Sequence, residues 1–238
     1  MPKGPGGVIL WGDPMQEPTT KRAVAFFDGQ NLYRHAKEAF GYHHPNYDPT
    51  KLHHAICAAH GWKPFGIRFY TGTPSAAVSP MWHGFWSNKL LAMRRAGIYV
   101  YSRSIRYRTI DITLPDGTVY EVDLPQEKGV DVHLALDVLR LALSNQFDVA
   151  VIFSQDQDLS ELVEEIQAIT RNTGRWLKLV SAFPSGPKAT TKRGIDKTEW
   201  FKMDQTFYDA CLDPYDYRPK PPATPTPVKE AVRLKSRP

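Results

Sequence analysis

The fold is indicated most clearly by residues 147–159, which read FDVAVIFSQDQDL. The first seven residues are almost all apolar, as is typical of a strand buried on both faces of a sheet. Asp156 and Asp158 follow this strand directly. A similar arrangement occurs at residues 22–31, RAVAFFDGQN, where Asp28 follows an apolar run. Because α/β proteins bind ligands outside the carboxyl ends of parallel strands, these acids are the first candidates for a functional site.

The rest of the chain alternates between strand and helix patterns. Strands are predicted near 23–28, 65–71, 98–102, 147–153 and 176–181, and helices over 31–40, 49–60, 80–96, 130–143 and 158–170. Alternation of this kind predicts an α/β fold with a mostly parallel sheet and helices on both of its faces. Residues 106–113 and 118–123 instead alternate in the strand manner around a Pro-Asp-Gly turn, which predicts an inserted β-hairpin.

The two ends of the chain differ from its middle in composition. Residues 1–20 are rich in glycine and proline and are predicted to form a flexible N-terminal segment. Residues 213–238 combine many prolines with basic residues, and we expect an extended or disordered tail. The folded domain is therefore predicted to span residues 21–212.

The composition limits the class of protein. The chain has 238 residues and a net charge of +5, which is compatible with a nucleic-acid partner but also with an ordinary basic surface. Its two cysteines, Cys57 and Cys211, form no CxxC motif, so a reducing compartment is favoured over a disulfide framework. No stretch approaches the roughly 20 apolar residues of a membrane span. We expect a cytoplasmic protein with no membrane contact.

A further acid, Asp131, opens the predicted helix 130–143. Taken alone, each acid has an ordinary explanation, since Asp131 complements a helix dipole, Asp158 caps a helix and Asp28 belongs to a turn. Equivalent strand ends share one edge of a parallel sheet, however, so these acids and Asp156 are expected to converge. Two like charges 4 Å apart repel by about 4 kcal/mol at an effective dielectric of 20, so the cluster requires a cation or raised pKa values. Oxygen ligands without cysteine favour Mg²⁺ or Mn²⁺.

Three segments carry a resemblance to a known family. Residues 27–31 (FDGQN), 128–131 (KGVD) and 154–158 (SQDQD) resemble the signature segments of NYN domains, which are PIN-like ribonuclease domains, and the likeness spans about residues 22–182. It implies a PIN-like three-layer α/β/α sandwich and a metal-dependent endoribonuclease that acts on RNA. The third segment of the family usually reads Ser-Gly-Asp-Ser-Asp, and this chain has Gln155 and Gln157 in place of the glycine and the second serine.

The resemblance also suggests roles for individual residues. It implies that the metal-binding and catalytic acids are Asp28, Asp131, Asp156 and Asp158. The resemblance suggests Asn31 as a supporting residue, and we expect Asn31 and Ser154 to orient the ligands or the phosphate. Contact with phosphate and a solvated side chain are equally good interpretations of Lys128. Asp137 is expected at the surface or between helices rather than at the site.

Basic residues outside these segments are candidates for RNA contacts. Alternation along the predicted hairpin puts Arg106 and Arg108 on the same strand face. The candidate residues are Arg103, Arg106 and Arg108 on or beside the hairpin, and Lys188, Lys192 and Arg193 in a loop near the C-terminus. A solvated basic surface is an equally good interpretation of each group.

Other functional classes compete with the ribonuclease. A non-catalytic RNA-binding or regulatory module that keeps the acidic pocket remains an alternative. A haloacid-dehalogenase-like phosphatase requires Asp-x-Asp after the first strand, where this chain has Asp28-Gly29-Gln30. The chain also lacks a Gly-x-x-x-x-Gly-Lys motif, which argues against a P-loop nucleotidase. The sequence is compatible with both a monomer and a homo-oligomer.

Overall fold

The computed structural model of the protein describes residues 16–219. The strands are β1 (Arg22–Asp28), β2 (Lys63–Thr73), β3 (Tyr99–Ser104), β4 (Arg106–Thr113), β5 (Val119–Gln126), β6 (Val149–Phe153), β7 (Lys178–Pro184) and β8 (Glu199–Met203). The helices are α1 (Gly29–Phe40), α2 (Pro49–His60), α3 (Pro80–Arg95), α4 (Val130–Leu143), α5 (Ser160–Thr173) and α6 (Gln205–Asp209). A short 3₁₀ turn at Gln157–Leu159 leads into α5.

Six of the strands form one sheet in the order β3-β2-β1-β6-β7-β8. Every pairing in this sheet is parallel, so the predicted mostly parallel sheet is confirmed. Strands β4 and β5 pair with each other in antiparallel fashion, and this separate ribbon is the predicted hairpin.

Helices cover both faces of the sheet, and the central strand shows why. Ala23, Ala25 and Phe27 of β1 belong to a core cluster shared with α1, α2 and α3. Val24 and Phe26 belong to a second cluster shared with α4 and α5. Because successive side chains of a strand point to opposite faces, an uninterrupted apolar strand requires a helix layer on each side. The predicted three-layer α/β/α sandwich is confirmed.

The two strands identified first in the sequence are neighbours at the centre of the sheet. From β1 the chain proceeds to β2 on one side, and from β6 it proceeds to β7 on the other. A crevice opens at such a switch point, outside the carboxyl ends of the two strands. At the opposite end of the pair, the Arg22 guanidinium binds the Asp148 carboxylate through Nε and Nη2, each at 3.0 Å.

Helix boundaries follow the capping residues. Asp48 accepts hydrogen bonds from the backbone N–H groups of Thr50 and Lys51, and Pro49 is the first helical residue, as predicted for α2. Helix α1 begins at Gly29, two residues earlier than expected, because Asp28 accepts from the Asn31 N–H and caps it. Gly41 ends α1 with φ of 84°, a left-handed conformation that favours glycine.

Two elements near the C-terminus were not predicted. Strand β8 lies at the edge of the sheet and is followed by the single turn of α6. The next segment packs on α3, where the buried Lys89 ammonium binds Asp213 Oδ2 at 3.0 Å and Tyr217 joins the edge of a core cluster. Residues 213–217 were predicted to belong to the tail. The predicted N-terminal segment up to residue 15 and the tail beyond residue 219 lie outside the described residues.

None of the helices within residues 16–219 has both the length and the apolar character needed to cross a membrane.

Candidate functional site

Asp28 lies at the carboxyl end of β1 and is 8% exposed. One carboxylate oxygen caps α1 by accepting from the Asn31 N–H at 3.0 Å, and the other accepts from Ser154 Oγ at 3.3 Å. The pKa of Asp28 is raised to about 6, mainly by burial and also by the charges of Asp156 and Asp131, against the opposing effect of these hydrogen bonds. The carboxylate is therefore held in place while it faces other negative groups.

The segment after β6 is joined to the start of α1. The Asn31 side-chain oxygen accepts from the Gln155 N–H at 3.0 Å, and Ser154 Oγ accepts from the Asp156 N–H at 3.1 Å. Asp156 Oδ1 in turn accepts from the Asp158 N–H at 3.1 Å and caps the 3₁₀ turn. Asn31 and Ser154 thus hold the two strand ends, and with them Asp28 and Asp156, in register.

A further acid, Glu127, enters the site from the segment between β5 and α4. Its carboxylate Oε2 accepts from the Gly72 N–H at 3.0 Å. Glu127 is exposed as a residue, but partial burial of its carboxylate raises its pKa to about 7, with contributions from the charges of Asp28 and Asp131. Glu127 was not predicted from the sequence, although it immediately precedes the KGVD segment.

The acids line one open cleft with a volume of about 490 Å³. Its acidic residues are Asp28, Glu127, Asp131 and Asp156. Arg34 and Lys37, two exposed residues of α1 that sequence analysis also missed, line the same cleft. The cleft therefore combines carboxylates with cationic side chains, which suits a ligand that carries negative charge and is bound through a cation.

The donor atoms suit a hard divalent cation, because they are carboxylate oxygens beside an asparagine amide. Within residues 16–219, however, no three carboxylate, imidazole or thiol groups are placed closely enough to hold a metal ion as they stand. Burial is the main cause of the raised pKa values of Asp28 and Glu127, and repulsion by the neighbouring acids adds to it. The donor atoms of the site thus suit Mg²⁺ or Mn²⁺, but the acids lie too far apart to bind the ion together in this arrangement.

Asp158 does not line the cleft. It lies within the 3₁₀ turn that Asp156 caps, and its side chain is exposed. Of the four acids predicted from the sequence, the structure brings Asp28, Asp131 and Asp156 together and leaves Asp158 outside.

The predicted basic residues form two groups. Arg103, Arg106 and Lys128 line a second cavity of about 200 Å³ at the base of the hairpin, where Arg103 donates to the Lys128 carbonyl oxygen at 3.2 Å. Gly129 lines this cavity and precedes α4, whose second residue is Asp131. Arg108 is exposed farther along β4 and does not line the cavity.

The second group lies on the loop between β7 and β8. Its exposed basic residues are Lys188, Lys192 and Arg193.

Comparison with protein-family models gives a match to the NYN domain over residues 22–192. This match covers more than half of the chain. The chain belongs to the NYN domain family. NYN domains are nuclease-like domains of the PIN-like type, so the family predicted from three short segments is confirmed.

Solved structures that resemble this NYN domain share little sequence with it. A protein of unknown function from Vibrio parahaemolyticus is 19% identical, with a TM-score of 0.48, over 83% of this chain and 99% of that one. MurG from Acinetobacter baumannii is 10% identical with a TM-score of 0.30, over 77% of this chain and 45% of that one. A search of curated proteins found no match.

Asp137 of the NYN domain was expected at the surface or between helices, but it is buried between α4 and β2. It is 1% exposed and accepts from Tyr70 Oη at 2.7 Å and Arg68 Nη1 at 2.9 Å. Arg140, one turn farther along α4, also binds it. The residue therefore fastens α4 to β2, and α4 carries Asp131 in its first turn.

Proposed function

We propose that this NYN domain is a metal-dependent endoribonuclease that cleaves RNA phosphodiester bonds. The convergence of Asp28, Glu127, Asp131 and Asp156 on one cleft carries the proposal, because a bound cation would relieve the repulsion among four neighbouring carboxylates. Membership of a nuclease-like family supports it.

Asp28, Asp131 and Asp156 would hold Mg²⁺ or Mn²⁺, with Glu127 as an additional ligand. When bound, the cation would lower the pKa of a water molecule and neutralise charge on the scissile phosphate. We assign Asp158 no direct contact with the metal, because its side chain lies outside the cleft.

The remaining residues of the cleft would position the substrate. Arg34 and Lys37 would bind the nonbridging oxygens of the RNA backbone. Asn31 and Ser154 would keep Asp28 and Asp156 in register through the hydrogen bonds that join the two strand ends. Arg103, Arg106 and Lys128 would extend the phosphate-binding surface toward the hairpin.

We also propose that the protein acts in the cytoplasm. Both cysteines are buried free thiols, which agrees with a reducing compartment.

A cleavage assay tests the proposal. Labelled single-stranded RNA would be incubated with Mn²⁺ or Mg²⁺ and the wild type, Asp28→Asn or Asp156→Asn, with Asp111→Asn on the exposed hairpin as the matched control. Both site variants keep a side chain able to cap its helical turn. We expect loss of cleavage in both, unchanged cleavage in the control and intact folding in all three. Cleavage by Asp28→Asn and Asp156→Asn at the rate of the wild type would refute catalysis by these acids.

A second candidate is an RNA-binding module without catalysis. The spacing of the acids favours it, because no group of three metal ligands is preformed within residues 16–219. RNA binding by the wild type without metal-dependent cleavage in the same assay would select this alternative.

A further inference from the structure

The two glutamines that depart from the family motif both hold the loop between β7 and β8. Gln155 Nε2 donates to the Arg193 carbonyl oxygen at 2.7 Å and to the Thr191 carbonyl oxygen at 3.3 Å. Gln157 Nε2 donates to the Gly194 carbonyl oxygen at 3.0 Å, and its Oε1 accepts from the Asp196 N–H at 3.2 Å. Neither the glycine nor the serine of the usual motif has a side chain that could make these bonds.

Gln155 makes these bonds at a cost. The residue is 4% exposed, and both of its loop contacts use the same amide nitrogen. Its Oε1 is buried and has no hydrogen-bond partner within the described part of the chain. A buried polar atom without a hydrogen-bond partner lowers the stability of the fold. Gln155 therefore holds the loop in place at some cost in stability.

The same loop is fastened to α1 on its other side. The Thr190 N–H donates to Glu38 Oε1 at 2.6 Å, and hydrogen bonding by the Thr190 side chain and then by this N–H lowers the pKa of Glu38. Gly186 packs so closely on the Ala39 carbonyl oxygen that an added Cβ would lie 2.9 Å from it. The loop therefore bridges α1, which supplies Arg34 and Lys37 to the cleft, and the segment that supplies Asp156.

The bridged loop presents basic side chains to solvent. Lys192 is exposed and forms no ion pair with any residue in the range 16–219. Arg193 has one carboxylate nearby, Asp196 at 4.0 Å, and both side chains are about half exposed. Exposed pairs of this kind are weak, so the guanidinium remains able to bind another anion.

We propose that Gln155 and Gln157 are positioning residues that hold Lys192 and Arg193 beside the acid cleft, where the two cations bind phosphates of the RNA backbone. The proposal rests on the proposed function, since RNA is the ligand. The glutamines do not touch RNA, and their effect is exerted through the loop. A fixed loop avoids the ordering entropy that a free loop would lose on binding.

RNA binding in the presence of a chelator tests this proposal without requiring catalysis. Fluorescence anisotropy of a labelled single-stranded RNA would be measured for Lys192→Ala/Arg193→Ala, for Gln155→Met/Gln157→Leu and for the combination of all four changes. The matched control is Lys63→Ala/Arg95→Ala, which removes two exposed cations, one at the amino end of β2 and one at the last residue of α3.

We expect the loop variant and the glutamine variant each to bind RNA about 5-fold to 10-fold more weakly and the control to bind as the wild type. The combined variant should bind no more weakly than the loop variant, because the glutamines act only through those cations. The loop variant should also lower the slope of log K against log salt by about 0.7 for each RNA phosphate that the protein no longer neutralises.

Unchanged binding by the glutamine variant would overturn the proposal, as would additive losses in the combined variant or no RNA binding by the wild type. Should Gln155→Met/Gln157→Leu fail to fold, Gln155→Gly/Gln157→Ser restores the family motif and serves in its place. Hydrogen exchange at the Asp196 N–H should become faster in either variant while the exchange of β6 stays unchanged. A wild type that binds RNA in chelator but never cleaves it would refute the proposed catalysis and leave the positioning role intact.

Discussion

The Gly72 N–H donates a hydrogen bond of 3.0 Å to the Glu127 carboxylate and so joins the end of β2 to the segment that precedes α4. A Cβ added at Gly72 would lie 2.5 Å from Glu127 Oε2, so the carboxylate occupies the space that any larger residue would need. This close approach brings Glu127 into the cleft beside Asp28.

Glu127→Gln should reduce metal-dependent RNA cleavage by about 10-fold or more. The glutamine can still accept from the Gly72 N–H, but it supplies no negative charge to the cleft. Single-turnover cleavage in Mn²⁺ measures the effect. Glu121→Gln on the exposed hairpin is the control, and equal activity of the two variants would remove Glu127 from the site.

Asp28→Asn should stabilise the protein when metal is chelated. The pKa of Asp28 is raised to about 6, above its unfolded value of 3.8, so the carboxylate favours folding less as pH rises through this range. The variant should gain about 2–3 kcal/mol in the free energy of unfolding at pH 7.5 and roughly half as much at pH 5. Urea unfolding in chelator at both pH values measures this gain. A loss of stability at pH 7.5 would mean that the charged carboxylate is a structural requirement.

Asp137→Asn should destabilise the domain by about 2–4 kcal/mol, because Arg68 loses its buried counter-charge while remaining largely covered. Tyr70→Phe removes only one hydrogen bond to the same carboxylate and should cost about 1 kcal/mol. Urea unfolding compares the two variants. If Asp137→Asn lowers the free energy of unfolding by less than Tyr70→Phe does, the ion pair between Arg68 and Asp137 contributes nothing to stability.

His53 should make stability depend on pH. The residue is buried, its Nε2 lies 3.1 Å from the Ala23 carbonyl oxygen, and burial lowers its pKa to about 4. Its folded pKa lies below the unfolded value of 6.5, so its contribution is fully present above pH 6.5 and is lost as pH falls toward 4. Between pH 7.5 and pH 5 the wild type should therefore lose about 2 kcal/mol relative to His53→Gln. Parallel pH profiles of the two proteins would contradict this assignment.

The central part of the fold was predictable because it depends on periodicity. Apolar runs identified β1 and β6, and the parallel arrangement of their ends predicted that Asp28 and Asp156 would meet. Asp131 followed from its place at a helix start. These inferences require only that strand ends share an edge of the sheet.

The remaining features depend on local geometry that is not reflected in the periodicity of apolar residues in the sequence. The 3₁₀ turn, capped by Asp156, leaves Asp158 exposed. Glu127 enters the cleft because a hairpin returns beside β2, which no spacing in the sequence specifies. Strand β8 has a mostly exposed edge pattern, so it lacks the apolar run that marked the central strands.

Asp28 and Ser154, the residues that join the two strands framing the cleft, are 126 positions apart in the chain. During synthesis, β1 can pair with β6 only after β6 has left the ribosome. Pairings between such distant segments also form slowly, since a long loop must close before the two strands can pair. The acid cleft is therefore assembled late, because Asp156 cannot lie beside Asp28 in a nascent chain until β6 has paired with β1.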